Sequence, residues 1–311
     1  MLGDRTALAI NAGTGWNPSE IATVAKQAEQ SGFEAIFSAE IRADAIAIGL
    51  FMGSQTKRIR VGTCVSSIYL RHSLTCAQAA AFAADVTEGR MILGLGVSHP
   101  VVNARYGIEM GSPLAALREY IGEVRQHFRR EGPAFPFPEP PAAYAVPIYV
   151  AALTSKALEQ AAEIADGIMP VFWPPARVRQ SQTWIARGHA KAPNRARPDF
   201  TLALPAFIGN DLEEMRRLAR RAMSPYAAVP TYQRLFRTCG FEEEAVKAEL
   251  GAMAEAISDR LLDAFCLIGP AERCRENLVA FREAGVDLPI LYTPLGLPAA
   301  QSIIQAFGNK G

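Results

Sequence analysis

Eight short apolar segments, each followed by a longer amphipathic stretch, constrain the fold of this 311-residue chain more than any other feature. They span residues 7–12, 34–38, 59–65, 91–95, 148–152, 168–172, 200–208 and 288–293. Each is apolar along its length rather than alternating, which is typical of parallel strands covered by helices on both faces. The pattern predicts one α/β domain over residues 1–311, a closed parallel (β/α)8 TIM barrel. An open, doubly wound sheet is the alternative.

Helix signals and one strand-free stretch complete the pattern. Asn17 and Pro18 predict the start of a helix over residues 18–30, and Thr154 predicts the cap of another helix. Residues 225–260 carry no strong strand and predict a helical insertion before the last strand. The proline-dense stretch 133–147 cannot be helical, so it predicts a surface connection.

Composition excludes several classes of protein. The formal net charge is +1 with scattered basic residues, so no nucleic-acid partner is expected. No apolar stretch approaches the ~20 residues that span a bilayer, so no membrane association is expected. The five cysteines form no CxxC pair and their number is odd, which argues against a disulfide framework and against a metal site. We therefore expect a cytoplasmic protein without a bound metal.

The fold prediction also selects where chemistry takes place, because sites in such barrels lie at the carboxyl ends of the strands. The residues at those ends are Asn11, Gly13, Ser38, Glu40, Cys64, Val65, Ser66, Gly96, Val97, Ser98, His99, Ala151, Ala152, Leu153, Thr154, Trp173 and Tyr292. Aromatic and imidazole side chains nearby are candidate pocket walls, with loop packing as the alternative: Trp16, Tyr69, His72, Tyr106, Phe172 and Trp173.

Two of these strand ends suit ligand binding on chemical grounds. The glycines of the segment 94–99 permit close backbone approach, and free amides at such a bend can hold an anion. The segment 151–154 leads into a helix start, whose amides and dipole suit a phosphate; simple capping by Thr154 is the alternative. An unperturbed pKa of ~6.5 would suit His99 to proton transfer near neutrality, unless it is only a surface histidine.

Four strings in the same order resemble the luciferase-like monooxygenase superfamily. They are SGFEAIFSAE, RIRVGTCVSSIYLRHSLTCAQAAAFAADVTEGRMILGLGVSHP, VPIYVAALTSKALEQAAEIADGIMP and IGPAERCRENLVAFREAGVDLPILY. The resemblance is least clear over residues 224–263. It implies a barrel that binds a flavin, and the deazaflavin branch, which uses coenzyme F420, is the most similar; FMN is the alternative.

The resemblance assigns roles to several strand-end residues. It implies a cis peptide bond between Cys64 and Val65 behind the cofactor ring. It implies that Cys64, Val65 and Ser66, then Gly96, Val97 and Ser98, then Ala151, Ala152, Leu153 and Thr154 bind the cofactor, with its phosphate at the last group. Many deazaflavin-dependent dehydrogenases carry Asp-His where Ala39 and Glu40 stand, so a histidine base is missing here.

His99 and Glu40 are the predicted catalytic residues. His99 would donate a proton or a hydrogen bond. Glu40 would act as a base if burial raised its pKa, or it would orient the ligand, or it would pair with Arg42.

Three functional hypotheses follow. The first is F420-dependent hydride transfer to or from a small organic substrate. The second is an FMN-dependent monooxygenase with a reductase partner and the insertion as a lid. The third is a non-catalytic flavin-binding protein of the same fold. A homodimer is expected from the resemblance, formed by helices beside the second and third strands.

Overall fold

The computed structural model describes residues 5–129 and 143–308. Its strands are Ala7–Ile10 (β1), Ala35–Ser38 (β2), Arg60–Thr63 (β3), Ser66–Ser67 (β4), Met91–Gly96 (β5), Ile148–Val150 (β6), Gly167–Ile168 (β7), Asp199–Ile208 (β8), Leu267–Gly269 (β9) and Leu288–Tyr292 (β10). Its helices are Pro18–Gln30 (α1), Ala45–Ser54 (α2), Ser73–Val86 (α3), Pro100–Arg105 (α4), Pro113–Arg129 (α5), Ser155–Ile164 (α6), Pro175–His189 (α7), Leu212–Ala227 (α8), Pro230–Thr238 (α9), Glu242–Glu249 (α10), Asp259–Phe265 (α11), Ala271–Glu283 (α12) and Leu297–Phe307 (α13).

Eight of the strands close into a ring in the order β1, β2, β3, β5, β6, β7, β8 and β10. Every neighbouring pair is parallel, and β10 pairs with both β8 and β1, which closes the ring. Residues along these strands are almost all buried, as expected where helices cover one face and the barrel interior the other. The predicted closed (β/α)8 barrel is confirmed, and the open-sheet alternative is wrong.

Two short strands extend the barrel at its carboxyl rim. β4 follows a break after β3 and pairs with the end of β5. β9 pairs with the last three residues of β8, Ala206–Ile208, while the earlier part of β8 pairs with β10. Neither short strand was predicted as a separate element. Both are at the end of the barrel where the sequence places the site.

The helices largely follow the sequence prediction. Asn17 caps α1 in a capping box with Glu20, and Thr154 caps α6 through the amide of Ala157 at 3.2 Å. The insertion differs at its start, because α8 continues through Pro225 to Ala227 before α9 and α10 begin. Of the predicted surface connection 133–147, residues 133–142 lie outside the described ranges.

A glycine lets two neighbouring strands approach closely. A Cβ on Gly94 would lie 1.9 Å from the carbonyl oxygen of Thr63, a backbone atom of β3. The Thr63 hydroxyl bonds to the backbone of the same glycine. It donates to the Gly94 carbonyl at 2.7 Å and accepts from the Gly94 amide at 2.9 Å. The spacing of β3 and β5 therefore depends on a residue without a side chain.

An ion cluster lies at the opposite, amino-terminal end of the barrel. The Arg5 guanidinium donates to Glu34 at 2.6 Å and to Asp199 at 2.7 Å, and Tyr149 also donates to Asp199 at 2.7 Å. Hydrogen bonds to Asp199 and Glu34 raise the pKa of Arg5. Arg5 precedes β1, Glu34 precedes β2 and Asp199 begins β8. The Arg5 side chain therefore links the start of β1 to the starts of β2 and β8.

Within the described ranges, no helix combines the length and the apolarity needed to cross a bilayer.

Candidate functional site

The site begins at the break between β3 and β4. The peptide bond between Cys64 and Val65 is cis, as predicted. The Cys64 amide donates to the carbonyl of Ser38 at 2.8 Å, which ties the break to the end of β2. Burial raises the pKa of the Cys64 thiol to about 12, so the thiol is protonated at neutral pH and is a poor nucleophile.

Three predicted cofactor-binding segments meet at this break. A Cβ on Gly96 would lie 2.6 Å from Cγ2 of Val65 and 3.3 Å from Cβ of Ala151. The Ala151 amide donates to the carbonyl of Leu95 at 2.9 Å, and the Ile68 amide donates to that of Gly96 at 3.0 Å. The ends of β3, β5 and β6 are therefore in direct contact, as the barrel rule predicted.

Glu40 lies beside this junction, and each of its two carboxylate oxygens has a partner. One carboxylate oxygen accepts from the Ser66 hydroxyl at 2.9 Å and from the Ser67 amide at 2.5 Å. The other pairs with Arg71, which also reaches Asp44 at 3.2 Å. Of the alternatives for Glu40, pairing with Arg42 is wrong, because Arg71 supplies the guanidinium. Glu40 thus helps to hold β4 in place through Ser66 and Ser67.

The predicted phosphate site lies at the start of α6. The first-turn amides of a helix lack intrahelical partners, and the Thr154 side chain uses only the amide of Ala157. An unpredicted cation lies next to this turn: Arg177 of α7 donates to the Leu153 carbonyl at 3.0 Å. Its guanidinium stacks on Trp173 at 4.8 Å and on Trp184 at 5.3 Å. The end of β6 therefore combines free amides with a nearby positive charge.

His99 follows β5 and forms the N-cap position of α4, without a capping hydrogen bond from its side chain. The backbone turns sharply here, since Ser98 has φ of 57°. Burial lowers the pKa of His99 below its ordinary value, so the imidazole is neutral at pH 7. The surface-histidine alternative is thereby disfavoured.

The insertion places the aromatic ring of Tyr232 against His99. Tyr232 of α9 lies with its hydroxyl 3.2 Å from Nε2 of His99. We call Phe172, Tyr226, Tyr232 and Tyr292 the aromatic cluster; its rings pack edge to face or tilted, with centroids 4.6–6.2 Å apart. Burial raises the pKa of each tyrosine in it. Of the predicted pocket walls, Phe172 belongs to this cluster.

Other predicted walls lie elsewhere. Tyr106 is 63% exposed on the outside of α4, and the exposed His72 caps α3 by accepting from the amide of Leu74. Both fit the alternative of ordinary loop residues. The sequence did not predict Tyr226, Tyr232 and Arg177 as parts of the site. The sequence placed all three only in segments predicted to be helical, and a helical segment does not indicate which side chains reach the site.

Two buried polar atoms close to strand ends have no hydrogen-bond partner in the described part of the chain. The hydroxyl of Ser38 ends β2 and the indole N–H of Trp173 follows β7, and both are buried without a hydrogen bond to any described residue. Such orphaned groups are rare in folded proteins.

Comparisons with known proteins agree with this geometry. A protein of Mycobacterium tuberculosis provisionally named as a coenzyme F420-dependent oxidoreductase is 30% identical over 316 residues, covering 88% of this chain and 90% of the relative. The solved coenzyme F420-dependent tetrahydromethanopterin reductase of Methanopyrus kandleri superposes with a TM-score of 0.77 at 18% identity, covering 97% of this chain and 98% of that one.

A second solved structure carries a different cofactor. It is the oxygenating constituent of 3,6-diketocamphane monooxygenase from Pseudomonas putida in complex with FMN. Its TM-score is 0.71 at 16% identity, with 97% of this chain and 95% of that chain covered. Residues 4–288 match the family model described as luciferase-like monooxygenase. This chain therefore belongs to the luciferase-like monooxygenase family.

Proposed function

We propose that this protein is a deazaflavin-dependent oxidoreductase that transfers a hydride between coenzyme F420 and a small, uncharged organic substrate. The observation that carries the proposal is the close approach of Val65 and Ala151 to Gly96 at the barrel mouth, next to the first-turn amides of α6. That arrangement joins a surface for a planar ring to a phosphate site, in a chain whose family includes F420-dependent enzymes.

Different segments would bind the ring and the phosphate of the cofactor. Cys64, Val65 and Ser66 would lie behind the ring, with Gly96, Val97 and Ser98 beside it. Ala151, Ala152, Leu153 and Thr154 would hold the phosphate, and the positive charge of Arg177 adds to the helix dipole there. When bound, reduced F420 would supply the hydride that reduces an electrophilic carbon, and the substrate oxygen would take up its proton from solvent while the neutral His99 donates a hydrogen bond to it.

His99 is proposed as the group that faces the reacting oxygen, and Glu40 as a residue that positions β4 through Ser66 and Ser67. A neutral imidazole still offers one N–H donor, so the lowered pKa of His99 suits hydrogen bonding to a developing negative charge. The ring packed on His99 is that of Tyr232, which is aromatic and uncharged, and this favours an uncharged substrate.

Fluorescence titration separates the cofactors. We expect saturable quenching on addition of F420 and little response to FMN. The deazaflavin chromophore without its phosphate-bearing tail should bind more weakly than F420, because it leaves the start of α6 unused. Saturable FMN binding with no response to F420 would overturn the proposal in favour of an FMN-dependent monooxygenase, and the absence of both responses would overturn it altogether.

We also propose a homodimer built on α3, in a cytoplasmic protein whose five cysteines are unpaired. Leu74, Phe82 and Val86 lie on one face of this helix, and Phe82 is 60% exposed. An apolar stripe of this kind on a soluble protein usually marks an interface.

Phe82→Arg is therefore expected to yield monomers in light scattering coupled to gel filtration, because a charge would be buried at the interface. Val279→Arg is the matched control, since Val279 is an exposed valine on α12, away from this face. A Phe82→Arg protein that keeps the mass of the wild-type assembly would contradict the interface.

A further inference from the structure

The contact between His99 and Tyr232 joins two distant parts of the chain. His99 follows β5, whereas Tyr232 lies on α9 of the insertion. Their rings are 5.1 Å apart at an interplanar angle of 55°, and the Tyr232 side chain is nearly buried. The hydroxyl reaches Nε2 of His99 at 3.2 Å.

The direction of this hydrogen bond follows from the partners that each group has. Among the described residues, Nε2 of His99 is the single hydrogen-bond partner of the Tyr232 hydroxyl. A buried hydroxyl proton without an acceptor is costly, so the hydroxyl donates and Nε2 accepts. An accepting ring nitrogen carries no proton, and the neutral imidazole must then carry its proton on Nδ1.

In this tautomer, the N–H on Nδ1 is available to a ligand. Nδ1 makes no hydrogen bond to any residue in the described part of the chain. The Tyr232 ring packs on the imidazole, and the Tyr226 ring lies 5.3 Å from that of Tyr232. Burial lowers the pKa of His99, which keeps the imidazole neutral.

We propose that Tyr232 is a positioning residue, which holds His99 as the Nδ1–H tautomer and thereby presents one N–H donor to an oxygen acceptor of the substrate, such as a carbonyl. The role of the N–H toward substrate rests on the proposed function, whereas the tautomer does not. The insertion thus supplies a residue that the site needs in addition to covering it.

Nitrogen-15 NMR of the histidine rings tests the tautomer in the full chain without cofactor. The chain has four histidines, and the His99→Asn variant identifies the signals of His99. In the wild type, we expect Nδ1 of His99 at the position of a protonated nitrogen and Nε2 at that of an unprotonated one. In Tyr232→Phe, which keeps the ring and its packing, both signals should shift toward the Nε2–H form that the hydroxyl no longer prevents.

Tyr226→Phe is the matched control, because it removes a hydroxyl from the aromatic cluster that is not bonded to His99. It should leave the His99 signals at their wild-type positions. An Nε2–H tautomer in the wild type would overturn the proposal, and so would equal responses to Tyr232→Phe and Tyr226→Phe. Failure of F420 to bind would overturn the proposed function instead, and it would leave the measured tautomer unaffected.

Discussion

Replacing Gly94 with alanine is expected to lower the free energy of unfolding by about 3 kcal/mol, because the new methyl group has no space. Its Cβ would lie 1.9 Å from the Thr63 carbonyl oxygen, and backbone at the centre of a closed barrel cannot move aside without disturbing its neighbours. The same shift would break the two hydrogen bonds of the Thr63 hydroxyl. Urea denaturation followed by circular dichroism measures the change.

Gly122→Ala provides the control. Gly122 lies exposed in the middle of α5, and an added Cβ there would meet nothing within 4 Å. Alanine should stabilise that helix by up to about 1 kcal/mol. A Gly94→Ala protein within 1 kcal/mol of the wild type in the same assay would show that β3 and β5 are less tightly coupled than the structure indicates.

Replacing Arg71 with methionine is expected to cost roughly 3–5 kcal/mol, because it leaves the Glu40 carboxylate enclosed without its positive partner. The side chains of Glu40 and Arg71 are only 7% and 15% exposed, so water can replace little of the lost interaction. We also expect weaker F420 binding, since Glu40 fixes Ser66 and Ser67 beside the proposed ring position.

Two variants distinguish loss of the Glu40–Arg71 ion pair from a general loss of stability. The double variant Glu40→Gln/Arg71→Met removes both charges and should recover a large part of the loss, as coupled partners do. Arg118→Met breaks an ion pair with Glu163 in which Arg118 is 47% exposed, and it should cost less than about 1 kcal/mol. Equal losses for Arg71→Met and Arg118→Met would argue against an enclosed pair at the mouth.

The barrel could be predicted because its strands are recognisable one at a time. A segment such as 91–95 is apolar throughout, and only burial on both faces suits it. β9 escaped prediction because three residues, directly after the apolar turns of α11, carry too little pattern to separate a strand from a helix end. Pro225 indicated a boundary, yet α8 tolerates it near its last turn.

The site could be predicted only where backbone position was sufficient. The strand ends at Val65, Gly96 and Ala151 follow from the topology, and the structure brings them together. Pairings between side chains do not follow from topology. Arg42 is close to Glu40 in sequence, whereas Arg71 is 31 residues away. Which arginine pairs with Glu40 depends on the path of the chain through β4. The link from Tyr232 to His99 spans 133 residues and depends on how an insertion folds back.

The pairing of β1 with β10 has a consequence for synthesis of the chain on the ribosome. β1 is made long before its partner on one side, which spans Leu288–Tyr292, so the nascent polypeptide carries an unsatisfied edge until those residues have been made. Open edges invite association with other chains, and parallel pairings of such high sequence separation form slowly. We therefore expect yields from heterologous expression to depend more on chaperone supply and on low growth temperature than the native stability of the protein would suggest.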